Sequence, residues 1–217
     1  MGDSQVYYPI FLDLKGRPCL VVGGGSVGER KVRGLLQAEG RVTVVSPVVT
    51  AGLEALFREG RIAWIHRAFR PDDLGGSVLV FAATDDESVN RRVVQEARAL
   101  GAWANAAQST VPSDFVVPAI LRRGPLQIGV STGGNSPAYA QMVRDRLYDL
   151  LGPEHEELIS WLGELREQIQ TTFSDAPQKR RAVWKAVVTW STVELVRQGK
   201  WDQIEEKVNT CLLSLSD

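Results

Sequence analysis

The sequence predicts an α/β fold: a doubly wound parallel sheet, then a small hairpin-helix segment, then a helical tail. Three observations predict it. In the first half, short apolar runs alternate with helical patterns at the spacing of strand–helix–strand units. Near residue 115 this rhythm stops, and two strand-like runs flank an Arg-Arg-Gly-Pro turn. Beyond residue 152 only helical stripes remain.

The elements follow in order. Pro18 to Val22 is a short apolar run, hence a buried strand. Ser26 to Ala38 is helical, with Val27, Val32, Leu35 and Leu36 on one face and Glu39-Gly40 closing it. Arg41 to Ser46 is the second strand, Ala51 to Glu59 a short helix, and Arg61 to His66 an alternating, half-buried strand. Ser77 to Ala83 is a continuous apolar fourth strand. Asp86 to Leu100 is a helix with Val89, Val93, Ala97 and Leu100 in register, and Ala102 to Ala107 is the fifth strand.

Phe115 to Thr132 reads as two strands around Arg122-Arg123-Gly124-Pro125. Ser136 is placed to cap a helix with Pro137 at its first position, and that helix ends at Gly152-Pro153. Three apolar stripes follow. The first is Leu158, Trp161, Leu162, Leu165 and Ile169. The second is Trp184, Val187, Val188, Ser191 and Leu195. The third is Trp201, Ile204, Val208 and Leu212. The boundaries give three parts, residues 1–115, 116–152 and 153–217. The middle part is too small to hold its own core, which suits it to pairing with a second subunit.

The loop after the first strand carries the strongest signal. Gly23-Gly24-Gly25-Ser26-Val27-Gly28 contains G-x-G-x-x-G, directly after a strand and opening a helix. In that context Gly23 allows the tight turn, Gly25 lets the backbone approach a pyrophosphate, and Gly28 lets the helix pack close. Ser26 and Val27 begin the helix whose unpaired N–H groups would hold the phosphates. This reads as a Rossmann-type dinucleotide site, the other reading being a tight strand–helix turn without a ligand. The acidic residue expected about twenty positions on, for the ribose hydroxyl, is absent. The second strand ends instead in Ser46-Pro47-Val48, and no arginine at its tip invites a 2′-phosphate.

The carboxyl ends of the other strands supply further candidates: Ala83, Thr84 and Asp85 after the fourth, Asn105 and Gln108 after the fifth. One of Asp85 and Asp86 is expected to cap the following helix. Gly133-Gly134 is either a second anion-binding loop or a simple strand–helix connection.

Composition excludes other classes. The 217 residues carry 25 basic and 26 acidic side chains, so no basic excess points to nucleic acid. Of two cysteines, Cys19 falls in a strand pattern and reads as a buried hydrophobe. His66 and His155 have no metal-ligand spacing, and there is neither a GxSxG elbow nor a Walker lysine. The first residues lack a signal-peptide layout and no run approaches a membrane span, so a soluble cytoplasmic protein is expected. Arg166, Lys179, Arg180 and Arg181 read as solvated helix faces rather than substrate contacts.

Several separate motifs agree in order: Pro9-Ile10-Phe11, VVGGGSVGERK at 21–31, AATDDESVNRRV at 82–93, the Asn105 region, DFVVPAI at 114–120, and VSTGGNSPAYA at 130–140. With them the chain resembles the precorrin-2 dehydrogenase/sirohydrochlorin ferrochelatase module of siroheme synthases, over roughly residues 6 to 200. The resemblance implies NAD-dependent oxidation of precorrin-2 to sirohydrochlorin, in some members followed by Fe²⁺ insertion. It also implies a homodimer, with the middle segment mediating dimerisation and the site in a cleft beside it. The substrate is then a polycarboxylate. Ser131, Thr132, Gly133, Gly134, Asn135 and Ser136 are the expected donors for it.

In one place the sequence departs from the family's pattern. The family's proposed proton acceptor is an aspartate in an Asn-x-x-Asp pattern; Asn105-Ala106-Ala107-Gln108 puts an amide there. A neutral amide is no general base. Three readings stay open: another carboxylate serves, with Asp114 and Asp85 nearest in pattern; solvent accepts the proton; or the chelatase step is lost. The expectation is that dehydrogenation is retained, and iron insertion is placed in doubt. A non-catalytic nucleotide- or tetrapyrrole-binding module is the alternative that Gln108 keeps open. A reductase for another small molecule is disfavoured by the STGGNSP block.

Overall fold

The computed structural model describes residues 6–107 and 110–216. Two compact units make up the chain, Tyr7–Val117 and Pro118–Asp217.

The first unit is a five-stranded parallel sheet in the order β3-β2-β1-β4-β5. Its strands are β1 (Pro18–Val22), β2 (Arg41–Val45), β3 (Ala63–Ile65), β4 (Leu79–Ala82) and β5 (Trp103–Ala106), connected through α1 (Ser26–Gln37), α2 (Ala51–Arg58) and α3 (Glu87–Ala99). A strand's side chains alternate between the two faces. Cys19, Val21, Val42, Val44, Leu79 and Phe81 therefore join Val32, Leu35, Leu53 and Leu56 in one core. Leu20, Val22, Val80 and Ala82 join Val93, Val94 and Ala97 of α3 in the other. Both faces are covered, which is why these strands are apolar throughout instead of alternating.

The α3 pattern is corrected in one respect. Leu100 caps the helix end and is exposed, while Asn90 lies buried beside Val93, Val94 and Ala97. A short 3-10 turn, Pro71–Leu74, was not anticipated; Asp73 secures it through Arg67 and the Arg70 N–H.

The second unit opens with an antiparallel hairpin, β6 (Ala119–Arg123) and β7 (Leu126–Val130), followed by α4 (Pro137–Leu150). Ser136 caps α4 with Pro137 behind it, as expected. Arg123 donates to the carbonyls of Leu151 (2.8 Å) and Tyr148 (3.0 Å), closing the far end of α4. Then come α5 (Glu154–Thr172), α6 (Pro177–Val187), α7 (Trp190–Arg197) and α8 (Trp201–Ser216). Leu165, Ile169, Val183, Val187 and Val208 form one buried cluster, and Leu158, Val193, Val196 and Ile204 another. The stripe expected to run from Trp184 to Leu195 is broken in two. Thr189 accepts the Thr192 N–H and starts α7 afresh, leaving Val188 exposed.

Among the described residues no helix is long and apolar enough to cross a membrane, and no group of three or more His, Cys, Asp or Glu side chains is placed to hold a metal.

Candidate functional site

The chain reverses within three glycines between β1 and α1. Gly23 has φ +116°, a conformation side chains avoid, and a Cβ there would collide with the Ala83 carbonyl. Gly28 presses on the Gly23 carbonyl in the same way, and Gly24, not singled out from sequence, presses on that of Val48. Gly25 differs. Its φ of −76° and ψ of −175° suit any residue, and a Cβ on it would meet nothing within 4 Å. Protein packing gives no reason for a glycine at this position; the close approach of a ligand does. Gly25 is also the N-cap of α1 and has no side chain with which to cap it. The first-turn N–H groups and the positive helix end are thus presented to an anion. The residues present fit a dinucleotide pyrophosphate.

β1 and β4 are neighbours whose following helices cover opposite faces, which makes their carboxyl ends the switch point where ligands bind in such sheets. A cleft of about 320 Å³ lies there, lined by Val27, Ala83, Thr84, Asp85, Asn90 and Ala107 among others. Asn90 holds its floor. Its amide oxygen accepts the Thr84 N–H (3.1 Å) and hydroxyl (2.8 Å), and its amide nitrogen donates to the Thr84 carbonyl (2.8 Å). Sequence reasoning missed Asn90. The available signal was a polar side chain on the apolar face of α3.

Asp86 is the α3 cap, accepting the Ser88 and Val89 N–H groups; the Ser88 hydroxyl and these N–H groups hold its carboxyl below the usual range. Asp85 is left on the cleft wall, exposed. Asp114 is committed elsewhere. One oxygen accepts from Arg98 Nε (2.7 Å) and the other from the Ala104 N–H (2.9 Å). Asn105 is turned to the α1 side of the sheet, because Ala104 and Ala106 face α3. Its amide donates to the Phe115 carbonyl (2.8 Å). Nearby on that side, Lys31 lies over the Phe81 ring at 5.3 Å, and burial, with Arg30, pushes its pKa down. Gln108 lies outside the described residues.

At the tip of β2, Ser46 is buried and its hydroxyl donates to the Val48 carbonyl (2.7 Å), bending Pro47 and Val48 toward the glycine loop. Thr50 fastens this segment. Its N–H donates to the Gly24 carbonyl (2.9 Å), and its hydroxyl donates to Glu29 of α1 (2.5 Å) while capping α2. The Thr50 hydroxyl and Arg33 hold the Glu29 carboxyl below its ordinary range.

Gly23, Gly25, Ser26, Val27, Gly28, Ser46, Pro47, Val48, Ala83, Thr84 and Asp85 are therefore gathered at one end of one sheet. Ser131 to Ser136 belong to the second unit and form a loop of their own between β7 and α4. Ser131 Oγ accepts the Gly133 N–H (3.2 Å), Thr132 Oγ1 accepts the Ser136 N–H (3.0 Å), and the Asn135 amide donates to the Thr132 carbonyl (2.9 Å). Gly133 and Gly134, at φ 62° and 88°, permit the turn.

Comparison with known proteins agrees with this layout. Residues 10–119 match an NAD(P)-binding family, residues 123–150 the central region of sirohaem biosynthesis proteins, and residues 156–212 the sirohaem synthase dimerisation region. That last match falls on the C-terminal helices, whereas the sequence reading put dimer contacts in 116–152. The siroheme synthase of Methylobacillus flagellatus is 42% identical over 192 residues, 88% of this chain and 41% of that protein. Siroheme synthase 1 of Aeromonas salmonicida is 39% identical over 183 residues, 84% of this chain and 39% of that protein. The chain thus spans about two fifths of the length of these relatives. The solved structure of SirC, a precorrin-2 dehydrogenase, superposes with a TM-score of 0.75 and 25% identity, over 92% of this chain and 100% of that one. With three consecutive segments matched from residue 10 to residue 212, the chain belongs to the NAD(P)-binding sirohaem-biosynthesis family, as the module found in siroheme synthases.

Proposed function

We propose that this chain is a precorrin-2 dehydrogenase, oxidising precorrin-2 to sirohydrochlorin with NAD as hydride acceptor, and that it works as a homodimer. One observation carries the reading. A glycine loop opening on a cleft at the sheet's switch point sits in a chain that matches the SirC dehydrogenase over that protein's full length. The parts are residues 1–115 for the dinucleotide, 116–152 as a dimerisation segment and 153–217 as a C-terminal helical domain.

Ser26, Val27 and Gly28 at the α1 terminus hold the pyrophosphate, with Gly25 giving it room. Ser46 to Val48 border the adenosine end. NAD is favoured over NADP because Arg67, just beyond β3, is bound through both Nη atoms to Asp73 (2.6 and 2.8 Å) and is unavailable to a 2′-phosphate. When bound, the nicotinamide supplies the hydride-accepting chemistry. The chain must orient the tetrapyrrole and dispose of the proton that leaves with oxidation. Of the carboxylates weighed, Asp85 stands exposed on the cleft wall, while Asp114 is engaged at both oxygens. We assign proton acceptance to Asp85 or to water beside it. The Ser131–Ser136 loop binds the carboxylates.

The test is an anaerobic assay with precorrin-2 and NAD, following the NADH band and the sirohydrochlorin spectrum together. Both should rise. If NAD binds and neither rises, the non-catalytic binding module takes its place, and Gln108 is the feature that favours it.

A further inference from the structure

The second unit holds a cleft of its own. About 480 Å³ opens between the end of α5 and the start of α6, lined by Arg166 and Gln170 on one side and Arg180, Arg181 and Trp184 on the other. These arginines read from sequence as solvated faces, yet three of them converge on one concavity.

Their chemistry is uneven. Arg180 is already employed, donating through Nη1 to the carbonyls of Phe173 and Ser174 at the end of α5. Its positive charge stays at the rim while it closes that helix. Arg166 and Arg181 make no ion pair among the described residues, although the surface offers acidic side chains elsewhere on the same unit. Arg197, for example, is paired with both Glu154 and Glu194. Like charges brought to one concavity repel, and two unpaired guanidinium forks facing a cleft are the geometry that recognises carboxylates. Half-buried Trp184 adds an aromatic surface, and Gln170 a further donor. A flat ring bearing carboxylates would satisfy every one of these groups. A bare anion would leave the Trp184 ring without a partner.

We propose that the α5–α6 cleft is a second binding site, built from residues other than those of the dinucleotide cleft, for a planar conjugated ring carrying carboxylate groups. The choice of ligand class rests on the tetrapyrrole reading above; the anion preference rests on the cleft alone.

The experiment counts sites. Full-length protein is titrated calorimetrically with uroporphyrin, an octacarboxylate ring, and separately with inorganic phosphate. The wild-type chain is compared with the double variant Arg166→Gln/Arg181→Gln and with Trp184→Leu, each checked by thermal melting. The wild type should bind one more uroporphyrin per chain than the double variant. Trp184→Leu should weaken that extra site about tenfold, and phosphate should compete only poorly. Precorrin-2 oxidation should be unchanged in the double variant. Equal stoichiometry and affinity in wild type and double variant would overturn the proposal. So would phosphate displacing the ring at comparable concentration, since the cleft would then be a plain anion site. Failure of the dehydrogenase reading shows separately, as absent oxidation in the wild type.

Discussion

Asn90 and Thr84 bind each other reciprocally, the side-chain amide of Asn90 taking the N–H, hydroxyl and carbonyl of Thr84 together. Asn90 is buried on α3, so the pair fixes the end of β4 to the helix that follows it. Asn90→Ala leaves the part-buried backbone groups of Thr84 without their side-chain partner, at a cost of about 1–3 kcal/mol. Urea unfolding should show that loss, and the KM for NAD should rise more than kcat falls, because Thr84 positions the cleft wall and does no chemistry.

Two glycines of the one motif, Gly25 before α1 and Gly28 within it, should behave differently. Gly28→Ala forces a methyl into the Gly23 carbonyl and should lower stability by about 1–3 kcal/mol. Gly25→Ala meets open space at an ordinary backbone conformation; the gain from a stiffer unfolded chain is offset by the poorer N-cap that alanine makes, so stability should change by less than about 1 kcal/mol. Its NAD affinity should nevertheless fall about tenfold or more, since the methyl occupies the pyrophosphate's approach. Thermal melts and NAD titrations of both variants decide it. An unchanged affinity in Gly25→Ala would remove the dinucleotide from that face.

Asp85→Asn and Asp114→Asn separate chemistry from architecture. Asp85→Asn should lower kcat with little change in melting temperature. Asp114→Asn loosens the clasp to Arg98 and Ala104 and should act on stability first. If Asp85→Asn leaves kcat and its pH profile untouched, water is the proton acceptor.

Acid stability should depend on Glu154. Burial is the largest single influence and would raise its carboxyl, but the hydrogen bonds from Arg197 (2.6 and 3.1 Å), the Arg197 charge and a bond from its own backbone N–H together outweigh it and hold the carboxyl below its ordinary value of 4.5. A depressed folded value gives stabilisation that is complete above 4.5 and is lost as the pH falls through the lower folded value. In Arg197→Gln the hydrogen bonds and charge of that guanidinium are gone, so burial is opposed less and the loss of stability on acidification should shrink. Denaturation of wild type and variant across that range, compared as a difference, reads this directly.

Gln108→Asp tests iron insertion. The expected outcome is a rate of Fe²⁺ insertion into sirohydrochlorin above the solution rate, where the wild type shows little. A variant no better than solution would mean that the missing carboxylate is not the reason. Dimerisation has a parallel test: Met142 and Trp190 are exposed, and Met142→Glu and Trp190→Glu should each shift sedimentation toward monomer.

Much of this was legible in the chain itself. β1 and β4 announce themselves as unbroken apolar runs because both faces are covered, and Ser136-Pro137 marks the start of α4 without ambiguity. The glycine loop carries its own spacing. What was not legible depends on contacts between distant residues. The stripe from Trp184 to Leu195 keeps helical spacing across a real break, since periodicity does not register that Thr189 turns its side chain back to cap α7. Asp85 and Asp114 are alike as letters, yet Arg98, sixteen residues upstream of Asp114, claims that carboxylate. Asn105 reads from sequence as a carboxyl-end residue, and only the alternation of β5 shows which face of the sheet it takes.

The fastening of the glycine loop has a kinetic consequence. Val45 holds the Gly23 N–H and Thr50 holds the Gly24 carbonyl, so both ends of the turn are anchored to β2 and its tip before any ligand arrives. The conformational entropy of that turn is lost when the chain folds, not when it meets the dinucleotide. Association should then follow a single exponential whose rate climbs linearly with ligand concentration, without the plateau that a slow rearrangement of the loop would impose.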